Sequence, residues 1–370
     1  MKKLLIDVDS ILPLYTKGYL YGVGRSTYEL VKALNEIEDI PFDITLFSHN
    51  MKGLGCRNLD TRFKKLHFYL PNRDKYNRIS NSLKLRKLLS AYDLMHIPHN
   101  TDDTEFLSKT IYTIHDLIVF HYPEMWGLTE AKKQEILSKA RNCKAIVTCS
   151  EASKQDMVRF LGVPEDKISV IYWGINRDIF YPDYSLKPKL ISRIQKDFFF
   201  CASCNHQRKQ PEFIVEAFDD YVKNGGNHQL VMLKPFGLNI SIYRHLIEKG
   251  LLIILENVSD SNLRWLYSNA KATVIASLYE GFGFPVLESL ACGTQVICSK
   301  NSSLVEAGRD VVDYIDAKNK EELSQKLGYY TRISKEDSLD AKHAEKHLES
   351  FTWRNCAEKY IELWKTLLSC

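Results

Sequence analysis

Short runs of β-branched and aromatic residues alternate along the chain with longer stretches in which apolar residues recur every three or four positions. Parallel strands need long crossovers, most often helices, so this alternation predicts parallel sheets with helices on both faces. In the first half the apolar runs place strands near 3–9, 43–48, 66–71, 94–98, 110–115, 145–149 and 168–172. After the first of them, Leu30, Val31, Leu34 and Ile37 fall on one face of a helix over 26–37. The stretch from Asn176 to Lys189 holds Pro182 and Pro188 among polar residues without any period, and it reads as a linker. Beyond it the alternation resumes, with strands near 197–203, 229–233, 251–255, 272–276, 295–299 and 312–315. The chain closes on Trp353, Ala357, Tyr360, Ile361, Trp364 and Leu367, one stripe of a final packing helix.

The prediction is an α/β chain of two Rossmann-like, doubly wound parallel-sheet domains facing a cleft: residues 1–180, residues 181–350, and a helix over 351–370 that packs back toward the first domain. The 370 residues exceed what one core usually organises, which independently favours two domains. In open sheets, ligands lie beyond the carboxyl ends of the strands, so the loops that follow strands are the places to look for chemistry.

Composition narrows the classes. With 45% hydrophobic and 26% charged residues the chain can build ordinary cores, and a net charge of +4 is too small for a dedicated nucleic-acid binder. Nucleic acid is therefore not an expected partner. Charge is uneven, however: between Thr61 and Ser90 stand nine Lys or Arg and one acid, Asp74. Leu83, Leu85, Leu88 and Leu89 make part of that stretch a basic amphipathic helix, which suits peripheral contact with anionic lipid headgroups through residues 61–90. Nine cysteines show no paired metal-ligand spacing, and Cys201-x-x-Cys204 stands at a strand end without partners, so reduced core thiols are expected. The opening Leu4-Leu5-Ile6 run is broken by Asp7 and Asp9, unlike a signal sequence, and no stretch approaches the roughly 20 apolar residues of a membrane span. A cytoplasmic location is expected, peripheral at the inner face of the membrane if the basic stretch binds lipid.

The most informative segment is Ser277-Leu-Tyr-Glu-Gly-Phe-Gly-Phe-Pro-Val-Leu-Glu288, in the order strand, glycine loop, helix. Gly281 and Gly283 remove Cβ atoms where backbone could approach a ligand, and Pro285 suits a first helical turn. Free amides at a helix N-terminus favour an anion such as a diphosphate, and carboxylates at Glu280 and Glu288 can each accept two hydroxyl hydrogen bonds from a vicinal diol. Glycine and glutamate together suggest a sugar nucleotide, with a merely structural glycine turn as the alternative.

Glu280-Gly-Phe-Gly-Phe-Pro-Val-Leu-Glu288, followed by Ala291-Cys-Gly293 and a strand, resembles the Glu, seven residues, Glu signature of retaining family 4 glycosyltransferases of the GT-B fold. The resemblance implies that Glu280 contacts the transferred sugar, that the backbone of Gly281, Phe282, Gly283 and Phe284 contacts sugar and phosphate, and that Glu288 holds the ribose. It extends over nearly the whole chain. The segment 257–270 is similar to the family's nucleoside-side loop and helix, with Val258 near the base. Cys204 to Lys209 resembles the loop whose basic pair, here Arg208 and Lys209, neutralises the diphosphate. In that loop the chain departs from the pattern, with Ser203 where many relatives have glycine and Gln210 where asparagine is common.

On the other half, Gly22-Val-Gly24-Arg25 resembles the family's N-domain glycine loop, which implies that the amide of Gly24 approaches the diphosphate. Tyr19, Tyr21, Arg25 and His99 would then lie near the acceptor. Thr113-Ile-His115-Asp116, followed by Tyr122-Pro-Glu124, looks like the family's histidine motif, giving His115 the donor sugar and Asp116 a loop-holding or acceptor role. Ser150 reads as an N-cap.

The expected activity is therefore hexosyl transfer with retention, mannose favoured and GDP-mannose as donor, to a glycan or lipid-linked oligosaccharide of surface polysaccharide assembly such as lipopolysaccharide or capsule. Catalysis is assigned to His115, Glu280, Arg208 and Lys209. No metal-binding Asp-x-Asp is read at a strand end, so neither cofactor nor metal is expected. The rivals are a nicotinamide-dependent oxidoreductase, which would need GxGxxG after the first strand, and a catalytically silent sugar-binding or scaffold protein on the same fold.

Overall fold

A computed structural model describes residues 1–18, 20, 22–50, 56–69, 83–99, 106–185, 188 and 191–369. The chain divides into two compact units, Met1–Gly174 with Trp353–Cys370, and Ile175–Thr352.

The first unit is built on seven strands: β1 (Lys2–Asp7), β2 (Phe42–Asn50), β3 (Lys64–Tyr69), β4 (Leu94–Ile97), β5 (Thr110–Thr113), β6 (Ala145–Thr148) and β7 (Ile168–Val170). All pair in parallel, in the order β3-β2-β1-β4-β5-β6-β7. The order reverses between β1 and β4, and that switch opens a crevice at their carboxyl ends. Continuous apolar runs explain the strands: Leu4, Leu5 and Ile6 are buried, as parallel strands covered on both faces must be.

The helix Gly22–Glu36 follows β1, starting four residues before the predicted 26. Against it packs the C-terminal helix Trp353–Ser369, whose Tyr360 and Trp364 are fully buried. Trp364 meets Phe42 edge-on at 6.3 Å, and Tyr360 lies 5.0 Å from the ring of His96. Removing such a buried aromatic costs about 3–5 kcal/mol, so this helix belongs to the first unit's core.

The second unit repeats the plan with β8 (Phe198–Cys201), β9 (Gln229–Leu233), β10 (Leu252–Leu255), β11 (Ala272–Ile275), β12 (Val296–Ser299) and β13 (Asp313–Ile315). These six are also all parallel, ordered β10-β9-β8-β11-β12-β13, with the switch between β8 and β11. Cys201 and Cys204 are buried free thiols, and Cys204 donates to the Leu233 carbonyl at 2.9 Å.

The predicted linker needs correction. Residues from Ile175 onward belong to the second unit: Ile175 N–H bonds Phe351 O at 2.9 Å, and Phe180 is buried edge-on to Tyr267. Arg264 holds Asp183 at 3.0 Å, and the Trp265 indole donates to Ser185 O at 3.0 Å. Polar and proline-rich composition hid these anchors, because every partner stands 80 residues or more away along the chain.

No helix among the described residues is long and apolar enough to cross a membrane. Tyr19, Tyr21 and residues 70–82 of the basic stretch lie outside the described residues. Of the described part, Lys64 pairs with Asp43 at 2.7 Å and Arg62 donates to Ile37 O.

Candidate functional site

In the second unit, two loops leave the sheet at its switch point. The loop after β8 carries Arg208 and Lys209 in a short turn, and the loop after β11 carries Ser277 to Gly283. Gln210 joins them. It adopts the left-handed region, φ 52°, and its side-chain amide donates to Ala276 O at 2.8 Å and to Ala317 O at 2.9 Å. The Leu278 N–H donates to Arg208 O at 2.8 Å, so the loops are sewn together before any side-chain charge is considered.

Glu280 is only 9% exposed and sits among cations. Its Oε2 lies 3.0 Å from Arg208 Nη1 and its Oε1 3.3 Å from Lys209 Nζ, while Ser277 Oγ donates to Oε1 at 2.7 Å. Burial by itself raises the carboxyl pKa, but Lys209, Arg208 and the Ser277 hydroxyl outweigh it and hold the group down at about 2. Arg208 Nη1 also donates to Tyr279 O at 2.6 Å, and Lys209 donates to Ser203 Oγ. The two departures from the family pattern thus have structural work here, Ser203 as the partner of Lys209 and Gln210 as the loop stitch. Arg208 Nε is buried with no hydrogen-bond partner among the described residues.

The peptide of Glu280 is clamped from the loop after β12. Its N–H donates to Ser302 Oγ at 2.9 Å and its carbonyl accepts from Ser303 Oγ at 2.8 Å, while Asn301 donates to Ser277 O at 2.9 Å. Three short polar side chains therefore hold the catalytic candidate, and sequence reasoning missed all of them. They stand more than twenty residues downstream in a stretch without period, where Ser and Asn signal only a turn.

The helix Phe284–Ala291 begins at Gly283, whose φ of 107° requires glycine and whose added Cβ would meet Ala307 Cβ at 3.0 Å. Phe282 and Phe284 pack edge-on at 5.1 Å beside this turn. One helical turn in, Glu288 is 8% exposed and accepts from Tyr267 OH at 2.8 Å. Burial, then the Glu288 charge, pushes the Tyr267 phenol well above its ordinary value, so it stays a donor. Val258 is half-buried, just ahead of the helix Asp260–Asn269 capped by Ser259. The structure thus gathers Arg208, Lys209, Glu280 and the glycine turn, and places Glu288 on the helix that follows.

In the first unit, Asp7, His99 and His115 stand at the carboxyl ends of β1, β4 and β5. His99 Nε2 meets Asp7 Oδ1 at 2.9 Å, both buried. Asp7-Val8-Asp9 is an Asp-x-Asp at a strand end, which the expectation of metal independence passed over. Asp7 Oδ1 also accepts the Asp9 N–H at 2.9 Å, and no group of three or more His, Cys, Asp or Glu among the described residues is arranged to hold a metal.

His115 is 7% exposed, and its Nε2 lies 2.9 Å from Pro98 O. A carbonyl only accepts, so Nε2 carries the hydrogen and Nδ1 is bare. That Nδ1 is buried and has no partner among the described residues. Burial lowers the imidazole pKa to about 4, against the Pro98 bond and with help from His99, so the ring is neutral near neutral pH. Trp173 packs 5.0 Å from it, while Ser153 Oγ and Cys149 Sγ hold its carbonyl. Asp116 accepts the Ile118 N–H at 3.0 Å, a loop-holding contact, and Ser150 caps the helix that begins at Glu151.

At Gly24 a Cβ would lie 2.4 Å from Ser10 O, so helix packing by itself already requires glycine there. Arg25 is half-buried on the same helix.

Comparison with known proteins agrees with both units. Residues 21–179 match the model of Glycosyltransferase Family 4, and residues 186–345 match that of Glycosyl transferases group 1. The chain is 23% identical to O-antigen chain mannosyltransferase B of Escherichia coli over 381 residues, covering 94% of this chain and 97% of the other. Sucrose-phosphate synthase from Thermosynechococcus elongatus superposes with a TM-score of 0.75 at 16% identity, over 100% of both chains. Anabaena HepE, solved with UDP and glucose, gives 0.71 at 13% identity, over 99% of this chain and 100% of that one.

Proposed function

This chain belongs to the family 4 glycosyltransferases of the GT-B fold, and we propose that it transfers a hexose, mannose in the first instance, from a nucleoside-diphosphate sugar to a glycan or lipid-linked glycan with retention of α configuration. One observation carries the donor assignment: Arg208 and Lys209 converge on Glu280 within 3.3 Å, beside the amides that open the helix Phe284–Ala291. The full-length relative in O-antigen synthesis supports mannose and surface polysaccharide assembly, and HepE, crystallised with UDP, supports a nucleotide donor. GDP-mannose is the proposed donor.

In this reading the diphosphate meets the backbone of Gly281 to Phe284 and the two cations, Glu280 takes sugar hydroxyls, Glu288 the ribose, and Val258 lies by the base. His115 is assigned to the sugar, where its bare Nδ1 accepts from a hydroxyl. The bond from the anomeric carbon to the diphosphate breaks, and its electron pair goes to the departing oxygen. The acceptor oxygen bonds the same carbon from the same face, and its proton passes to the departing phosphate. Arg208 and Lys209 neutralise the charge that grows there, the task a metal performs in other transferases, and we propose activity without one.

A thermal-shift panel of GDP-, UDP-, dTDP- and ADP-sugars tests the donor, since a ligand bound by the folded form alone raises Tm. The anomeric configuration of the transferred sugar, read by NMR, tests retention, and activity lost in chelator and restored by Mn²⁺ contradicts metal independence. The basic stretch 61–90 is proposed to touch anionic lipid, and co-sedimentation with phosphatidylglycerol vesicles tests it.

A further inference from the structure

Behind Glu280 stands a helix of only five residues, Leu304–Gly308. Ser302 and Ser303, which lead into it, hold the Glu280 N–H and carbonyl at 2.9 and 2.8 Å. Farther along, the helix backs the glycine turn, since a Cβ added to Gly283 would meet Ala307 Cβ at 3.0 Å and Leu304 Cδ2 at 3.4 Å. So short a helix is not stable by itself. Its end is unfavourable too: Arg309 follows at φ 42° and ψ −123°, a region that costs a residue with a Cβ about 1–3 kcal/mol. The position of this helix therefore depends on what holds it from the other side.

His347, buried on the helix Ala341–Leu348, donates from Nε2 to Ala307 O at 2.7 Å. The Val311 N–H, four residues beyond Ala307, goes to Gly308 O instead, so the histidine supplies the donor that the helix end lacks. The same ring lies 5.1 Å from that of Phe351, and the fully buried Phe351 stands edge-on to Phe282 at 6.0 Å. Two routes from His347 thus end on the glycine turn, one through Ala307 to Gly283 and one through Phe351 to Phe282. We propose that His347 is a positioning residue of the donor site: it pins the helix Leu304–Gly308 and so keeps Glu280 and the glycine turn in place. A leucine of similar bulk would fill the space, yet it would leave the buried Ala307 carbonyl without a donor and let the helix shift away from Gly283. The consequence for transfer rests on the glycosyltransferase reading; the pinning itself does not.

Hydrogen exchange of the whole protein without ligand, read by mass spectrometry over residues 280–286, tests the pinning, because the Glu280 and Val286 amides are bonded there to Ser302 Oγ and Gly283 O. Exchange in this segment should be about tenfold faster in His347→Leu and return to the wild-type rate in His347→Gln, whose amide reaches to where Nε2 stands, while β9 is unchanged in both. His347→Asn, whose amide stops short of the carbonyl, takes the place of the leucine variant if that protein does not fold. In hydrolysis of GDP-mannose the leucine variant should lose about fivefold in kcat with KM within about twofold, and the glutamine variant should recover it. Unchanged exchange at 280–286, equal acceleration in β9, or failure of His347→Gln to restore the segment would each overturn the proposal. Loosening confined to 280–286 in a protein that binds no nucleotide sugar sinks the proposed function alone, and hydrolysis that every variant performs at the wild-type rate sinks the positioning role alone.

Discussion

The loop at Glu280 and the corner around His115 both lie at carboxyl ends of parallel strands, yet their central titratable groups are held in different charge states. Around Glu280, two cations and a carboxylate share a buried corner, and the carboxyl pKa falls to about 2. Around His115 burial keeps two imidazoles uncharged, His115 lowered to about 4 and His96 to about 3, while the buried Asp7 carboxylate meets His99 at 2.9 Å. The loop proposed to receive a diphosphate keeps charges and offsets their desolvation with one another. The corner around His115 keeps a neutral imidazole with a bare, buried acceptor nitrogen.

Glu280→Gln breaks the contrast most severely. It keeps the shape and removes the anion between two cations, and turnover is expected to fall on the order of 10²–10³-fold in a steady-state assay. Activity within threefold of wild type would leave Glu280 as a structural counter-ion only. His115→Ala removes one hydrogen-bond acceptor from a buried position, and kcat should fall about 10- to 100-fold. Because the wild-type imidazole is already neutral, the wild-type rate should show no His115 step between about pH 5.5 and 8.

Acid should separate the two regions. Both histidines bind protons less readily folded than unfolded, so their stabilisation is complete above 6.5 and is lost as pH falls through about 4 for His115 and about 3 for His96. Glu280 is likewise depressed, from 4.5 to about 2, so its contribution holds above 4.5 and fades below it. Amide exchange, corrected for intrinsic rates, should accelerate in β4 and β5 between pH 6.5 and 4.5 while the segment 277–283 stays protected. Simultaneous opening would dissolve the contrast.

The smallest effect concerns the clamp. Ser303→Ala strands the buried Glu280 carbonyl, costs about 1–3 kcal/mol, and should lower kcat a few-fold with little change in KM. Ser303→Thr, which restores the hydroxyl, should recover kcat if the hydroxyl positions Glu280.

The two regions were unequally legible in the sequence. The thirteen strands among the described residues follow from apolar runs of the right length. The donor loop announces itself because a glycine turn, a proline and two carboxylates fall within twelve consecutive residues, 277 to 288. What stayed hidden is long-range. Asn301, Ser302, Ser303 and Tyr267 act on Glu280 or its neighbours across the fold, and short polar residues in loops look alike whatever they hold. Gly24 carries two demands at once in the sequence, since glycine is required equally by an approaching ligand and by a neighbouring carbonyl, here Ser10 O.

If Arg208, Lys209 and Glu280 hold a nucleoside-diphosphate sugar, titration calorimetry of wild type and Arg208→Gln against the donor found in the thermal-shift panel gives a Kd at least tenfold weaker in the variant, with the difference shrinking as salt screens the charge. Equal affinity in the two proteins would contradict it.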